Sequence, residues 1–291
     1  FRLAASWALR HGSHSSMGLD VADINRDGHE DVLIVDMLAT DHGRRMRHPG
    51  KGDPTALAHG TSEAMPVFNR NTLFLGRGDG SFAEAAFQCG VAATDWSWCP
   101  AFIDVDLDGW EDLVVTTGFH QDVLDQDVSD GFKTQKWTPE QVRRYRQRYP
   151  TWHTPMAAFR NRGDGTFVPT GSSWGLDRAG IAQGMALGDL DGDGDQDLVV
   201  NTLNAPAGLY RNETDRPRIA VRLRGRSPNT RGVGARIRLI GGTVEQSQVI
   251  MSGGRYLSSD EPLRVFAASP TSQGPLALEV EWPGGPRSTV R

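Results

Sequence analysis

Cysteine is almost missing from this chain. Its 291 residues hold two, Cys89 and Cys99, too few for the disulfide framework that staples small secreted domains. They lie ten positions apart. Two reduced, partly buried thiols and one bond across a hairpin both fit that spacing, since a disulfide needs Cα atoms about 4.4–6.8 Å apart. Also missing is any apolar run long enough to span a bilayer, so the sequence carries no membrane-spanning helix. It opens at Phe1, and no leader is readable from which to assign a compartment. No H-E-x-x-H or phosphate-binding glycine loop occurs, and no residue is assigned a catalytic role. The histidines are scattered, as at His11, His14, His42 and His48.

Lysine is missing from the last quarter. Residues 216–291 carry twelve arginines against five acidic residues, whereas residues 1–215 carry 19 basic and 31 acidic ones, within a net charge of −5. The split predicts two modules, 1–215 and 216–291. In the basic module arginine alternates with apolar residues ("RIAVRLRGR", "ARIRLIGG"), the pattern of a half-exposed strand. No RNA-binding signature accompanies it, so nucleic acid is not an expected partner. The arginines read as a solvated face or as a surface docked on the acidic module.

What is present is repetition. "DINRDGHED" starts at Asp23, "DVDLDGWED" at Asp104 and "DLDGDGDQD" at Asp189, each leading into a β-branched run (VLIV, LVV, LVV). A second unit, "NTLFLGRGDGSF" at 71–82, returns as "AAFRNRGDGTF" at 157–167 and, truncated, as "GLYRN" at 208–212. Short strands with Gly- and Asp-rich turns at a fixed period predict an all-β array of four-stranded blades. Residues 36–70 and 118–155 interrupt it as excursions without two-residue alternation. One helix is expected in "WTPEQVRRYRQRYP", where Thr138 and Gln141 form a capping box, Pro139 takes the first turn and Pro150 ends it. Val142, Tyr145 and Tyr149 share its apolar face, and the arginines at 143, 144, 146 and 148 its solvated one.

The shared acidic pattern is D-x-[DN]-x-D-G-x-x-D. Oxygen donors at positions 1, 3, 5 and 9, with a backbone carbonyl at 7 and glycine at 6 for the sharp turn, suit a hard cation. The candidate ligands are Asp23, Asn25, Asp27, Asp31 and the carbonyl of His29 in the first loop. In the second they are Asp104, Asp106, Asp108, Asp112 and the carbonyl of Trp110. In the third they are Asp189, Asp191, Asp193, Asp197 and the carbonyl of Asp195. An EF-hand would place glutamate at position 12 and a helix after it, whereas Ile34, Val115 and Val200 stand there inside apolar runs. These are calcium-loop hairpins feeding strands, with about three ions expected and the first loop, one carboxylate short, the weakest.

These motifs resemble the FG-GAP/VCBS family of β-propeller repeats. After residue 215, "RGVGARIRL", "SGGRYLSSDEP" and "LEVEWPGG" resemble the ASPIC/UnbV domain, and the pairing is similar to the cartilage acidic protein family and its bacterial relatives. The resemblance implies a secreted, periplasmic or cell-surface protein that binds a protein or glycan ligand. It also implies seven blades, so three suggest a fragment: an incomplete propeller followed by a small β-rich domain. "VFAAS" at 265–269 departs from the FGLG-like turn of relatives. Two residues apart on a strand, Trp96 and Trp98 are candidates to stack on a ligand, or else to pack between blades. The alternative function is an enzyme of the same architecture using His120, Asp122 and these tryptophans. A purely structural assembly module is the third reading, and the oligomeric state is not legible.

Overall fold

A computed structural model describes residues 5–48, 66–132, 136–269 and 275–290. Strand β1 (Gly12–Ser13) precedes the first blade, which begins with β2 (Leu19–Ala22) and β3 (Asp31–Ile34). Strand β4 (Val67–Phe68) pairs in parallel with β1, and β5 (Thr72–Gly76) and β6 (Phe82–Glu84) complete the blade in the order β2-β3-β5-β6. The second blade is β7 (Ser97–Ile103), β8 (Asp112–Thr117), β9 (Ala157–Asn161) and β10 (Phe167–Pro169), an antiparallel meander of the same order. The third has β11 (Ala182–Gly188), β12 (Asp197–Thr202) and β13 (Gly208–Tyr210). Among the described residues it has three strands. Each acidic turn joins the first two strands of a blade, and each G-D-G-[ST]-F turn joins the last two.

Alternation along the strands builds the stack of blades, because successive side chains point to opposite faces. In β8, Leu113 and Val115 point into a core shared with the first blade, including Ile24, Leu33, Leu73 and Phe167. Val114 points the other way, into a core with Met185, Leu198 and Val200 of the third blade. The sheets therefore pack face to face as a partial propeller whose first strands, β2, β7 and β11, run side by side.

The C-terminal region forms its own small core around Ile237, Leu239 and Phe266. Its strands are β14 (Arg218–Val221), β15 (Arg236–Ile240), β16 (Gln246–Val249), β17 (Gly254–Arg255), β18 (Ser258–Ser259), β19 (Arg264–Ala267), β20 (Ala277–Glu281) and β21 (Arg287–Val290). They pair as β14-β19, β16-β15-β20-β21 and the hairpin β17-β18. That hairpin sits against the first strands of all three blades. Arg255 bridges Asp20 of β2 at 2.5 Å and Asp260 at 2.8 Å and donates to the carbonyl of Pro100 in β7. Ser258 donates to the Met185 carbonyl of β11 at 2.5 Å. Arg236 reaches Glu30, and Arg218 reaches Asp193 and Asp195, so part of the basic face docks on the acidic half.

The excursions hold more helix than their sequence announces. Helix α1 (Ala5–Ala8) opens the described chain, α2 (His42–Arg47) lies in the first excursion and α3 (Ala86–Cys89) follows the first blade. In the second excursion α4 (Gln126–Phe132) precedes the expected α5 (Pro139–Arg146), which carries the complete Thr138–Gln141 capping box. Tyr145 and Tyr149 rest on Phe132, and the four arginines around them are exposed. Residues 49–65 of the first excursion, with His59, lie outside the described residues. Both cysteines are free and buried, which removes the disulfide reading.

Candidate functional site

One hydrogen-bond frame shapes all three acidic loops. In the first, the Asp23 carboxylate accepts the amides of Asp27 and Gly28 at 3.1 and 3.0 Å. In the second, Asp104 accepts those of Asp108 and Gly109 at 3.0 and 2.8 Å. Asp189 of the third accepts from Gly192 and Gly194. The fifth-position aspartates, Asp27, Asp108 and Asp193, each accept the amide two residues on, from His29, Trp110 and Asp195. The sixth-position glycines have φ of 85°, 97° and 93°, a conformation in which a side chain is strained. The fourth position is left-handed too, at Arg26, Leu107 and Gly192.

The ninth-position aspartates do more than close the loops. Asp31 accepts the amide of Ile24 in its own loop with one oxygen, and that of Gly76 at the end of β5 with the other. Asp112 accepts from Val105 and Asn161, and Asp197 from Leu190 and Asn212. Each thereby ties its loop to the third strand of its blade.

Carboxylate oxygens converge as a result. Ligand atoms of Asp104, Asp106 and Asp108 lie within 4.8 Å of one another, as do those of Asp189, Asp191 and Asp197. In the first loop Asn25 takes the third position and donates to Asp27 at 3.0 Å. Burial raises the Asp104 carboxyl to about 8 and Asp112 to about 9, and it raises Asp31 to about 7. The backbone amides that these groups accept pull the other way and are outweighed. Such a cluster needs positive charge to stay ionised. Arg160 of β9 supplies some to the second loop, 2.8 Å from Asp106 and 2.7 Å from Asp108. The other Asp106 oxygen is buried with no hydrogen-bond partner. An all-oxygen donor set with an unsatisfied buried carboxylate oxygen fits a hard cation such as calcium.

Asp195 differs from the sequence reading in one respect. Its carbonyl was the expected donor, yet its side chain is buried beside Arg218, 3.4 Å away, and burial raises its carboxyl to about 7. Position 7 is exposed histidine in the first loop and tryptophan in the second, so the repeat gives no hint of this.

Trp96 and Trp98 present no open ring face. Both are buried in a cluster with Trp152, and Trp96 lies flat on Phe119, with ring centroids 4.0 Å apart. They are packing elements between strand and excursion, which corrects their candidacy as a ligand platform. His120 is exposed and does not join them, whereas Asp122 is fully buried and accepts from His48 at 3.0 Å, with Arg44 at 3.4 Å. That pairing joins the two excursions, and nothing local in the sequence announces it.

Against known protein families, residues 62–115 and 151–200 match the FG-GAP-like repeat, and residues 225–291 match ASPIC and UnbV. No curated protein matches the chain.

Proposed function

We propose, from the premise that this chain joins FG-GAP-like repeats to a C-terminal ASPIC/UnbV domain, that it is a calcium-stabilised binding module acting outside the cytoplasm. Repeats of this type are typical of extracellular or cell-surface proteins, and no helix among the described residues is long and apolar enough to cross a membrane. The working division is a propeller part over 1–215 and a β domain over 216–291. About three calcium ions would be held by the carboxylates of the three loops with the carbonyls of His29, Trp110 and Asp195. Bound there, calcium would neutralise buried like charge and fix the first two strands of each blade, leaving the excursions to present a surface to a protein or glycan.

The observation that carries this reading is the convergence of the Asp104, Asp106 and Asp108 carboxylates, with one Asp106 oxygen buried and without a hydrogen-bond partner. Calorimetric titration of calcium into the chelator-treated chain tests it. Saturable binding with a rise in melting temperature is expected, and millimolar extracellular calcium suits loops of this class. No heat of binding and an unchanged melt with and without chelator would overturn it.

A further inference from the structure

The fourth position of each acidic loop is used differently. Gly192 of the third loop has no side chain to extend, and Leu107 of the second is buried against Leu263, Val265 and Ala267 of the C-terminal domain. Arg26 of the first loop crosses to the second. Its Nε and Nη2 both donate to the Gly109 carbonyl, the former at 2.9 Å, and Nη2 also lies 2.6 Å from a Glu111 carboxylate oxygen. On the near side its Nη1 donates to the Asp23 carbonyl at 3.2 Å. The Arg26 and Glu111 side chains are only 5% and 4% exposed.

These contacts fall on the positions that matter to both loops. Asp23 is the first-position ligand of the first loop, and Gly109 and Glu111 flank Trp110, whose carbonyl is the seventh-position donor of the second. The guanidinium also lies over the Trp110 ring, 5.9 Å from its centroid. The eighth-position counterparts of Glu111 are engaged otherwise, since Glu30 pairs with Arg236 and Gln196 carries no charge. Among the described residues this bridge therefore occurs once, between the first two loops. It is also conditional on the shape of the first. Arg26 stands at φ 60°, in the left-handed region that a residue with a side chain rarely enters, and that turn aims it across the gap. Were the first loop to uncoil, Arg26 would relax out of this conformation, and Glu111 would remain as a buried charge without its counter-ion. The second loop would then lose its hold on both sides of the Trp110 carbonyl.

We infer that Arg26 is a positioning residue that couples the first two loops, so that a calcium ion held in either raises the affinity of the other. Such coupling is reciprocal by thermodynamic necessity. The third loop, which no fourth-position side chain reaches, stands outside it. The inference rests on the calcium reading above and adds a regulation to it: the first loop, poorest in carboxylates, is filled with help from its neighbour.

Calorimetric titration of calcium into the chelator-treated whole chain tests it. The step lost in Asp23→Asn identifies the first loop. Asp104→Asn, which disables the second loop, should weaken that step about fivefold or more, the lower end of ordinary coupling between sites. Asp189→Asn in the third loop should leave it unchanged. Replacing the pair together, Arg26→Met with Glu111→Gln, leaves neither charge buried alone, and in that chain Asp104→Asn should no longer shift the first-loop step. Arg26→Lys, which keeps the charge and loses the fork, should retain part of the shift. Equal effects of Asp104→Asn and Asp189→Asn overturn the coupling, and so does a shift that survives undiminished in the pair variant. The first comparison leaves Arg26 untouched, so it decides the matter even where the pair variant does not fold. Calcium steps without coupling sink this inference alone, whereas the absence of every calcium step sinks the calcium reading with it.

Discussion

The side-chain amide of Asn161 leaves its own blade and donates to the carbonyl of Ile24 in the first acidic loop, 3.0 Å away, while also donating to Glu111. Asn212 repeats the first contact one blade on, with the carbonyl of Val105 at 2.9 Å. Because Asp112 and Asp197 accept the backbone amides of these same asparagines, each of these two ninth-position aspartates is linked through one residue to the preceding blade.

Replacing Asn161 should therefore cost more than one ordinary hydrogen bond. Asn161→Ala strands two buried carbonyls and is expected to lose about 1–3 kcal/mol for each unsatisfied group. Asn161→Asp should lose more, since it aims a charge at the same oxygens. Urea denaturation of both variants beside Asn212→Ala checks the order, and the half-exposed Asn212 should show the smallest loss.

Calcium should act as a ligand of the folded chain alone. At a free concentration one hundred times the dissociation constant, one site adds about 2.7 kcal/mol. Asp104→Asn and Asp189→Asn should each remove one binding step from the titration. Asp23→Asn should change it least, since its loop already carries Asn25 at the third position.

Acidity should take calcium's place in part. Asp104 and Asp112 ionise at about 8 and about 9 in the fold, against about 3.9 for an exposed aspartate. A raised carboxylate value means that the folded metal-free chain holds protons the unfolded chain has released, so stability falls as pH rises through that window. In chelator the melting temperature should drop between about pH 5.5 and pH 8.5. At saturating calcium the slope should flatten, because the ion replaces the protons.

Arg255 holds the halves together by charge. Its guanidinium lies between the buried Asp20 and Asp260, and Arg255→Met would leave both uncompensated, at an expected cost of about 3–5 kcal/mol. Limited proteolysis reads the result. The variant should release the C-terminal domain early, whereas Arg255→Lys, which keeps the charge and loses the fork, should fall between.

The acidic loops were legible because their chemistry is local: donors at positions 1, 3, 5 and 9 and glycine at 6 describe the turn completely enough to find it three times. The double role of Asp112 was not, since its second partner, Asn161, lies 49 residues on. The left-handed fourth position was hidden behind arginine and leucine, which rarely adopt it. Trp96 and Trp98 share a face as strand spacing requires, but whether that face meets solvent depends on Phe119 and Trp152 folding over it from the excursion. Three blades and the docked arginine-rich module follow the repeat and the charge split. The hairpin that enters among the blades had no such signature.

That hairpin has a temporal implication. Asp20 and Arg255 are separated by 235 residues, and synthesis proceeds from the N-terminus. Until the stretch that carries Arg255 has been made, the inner acid of the first blade has no counter-ion from this hairpin. The blades it joins stay provisional over that interval, and a product cut short before Gly254 would never receive its keystone.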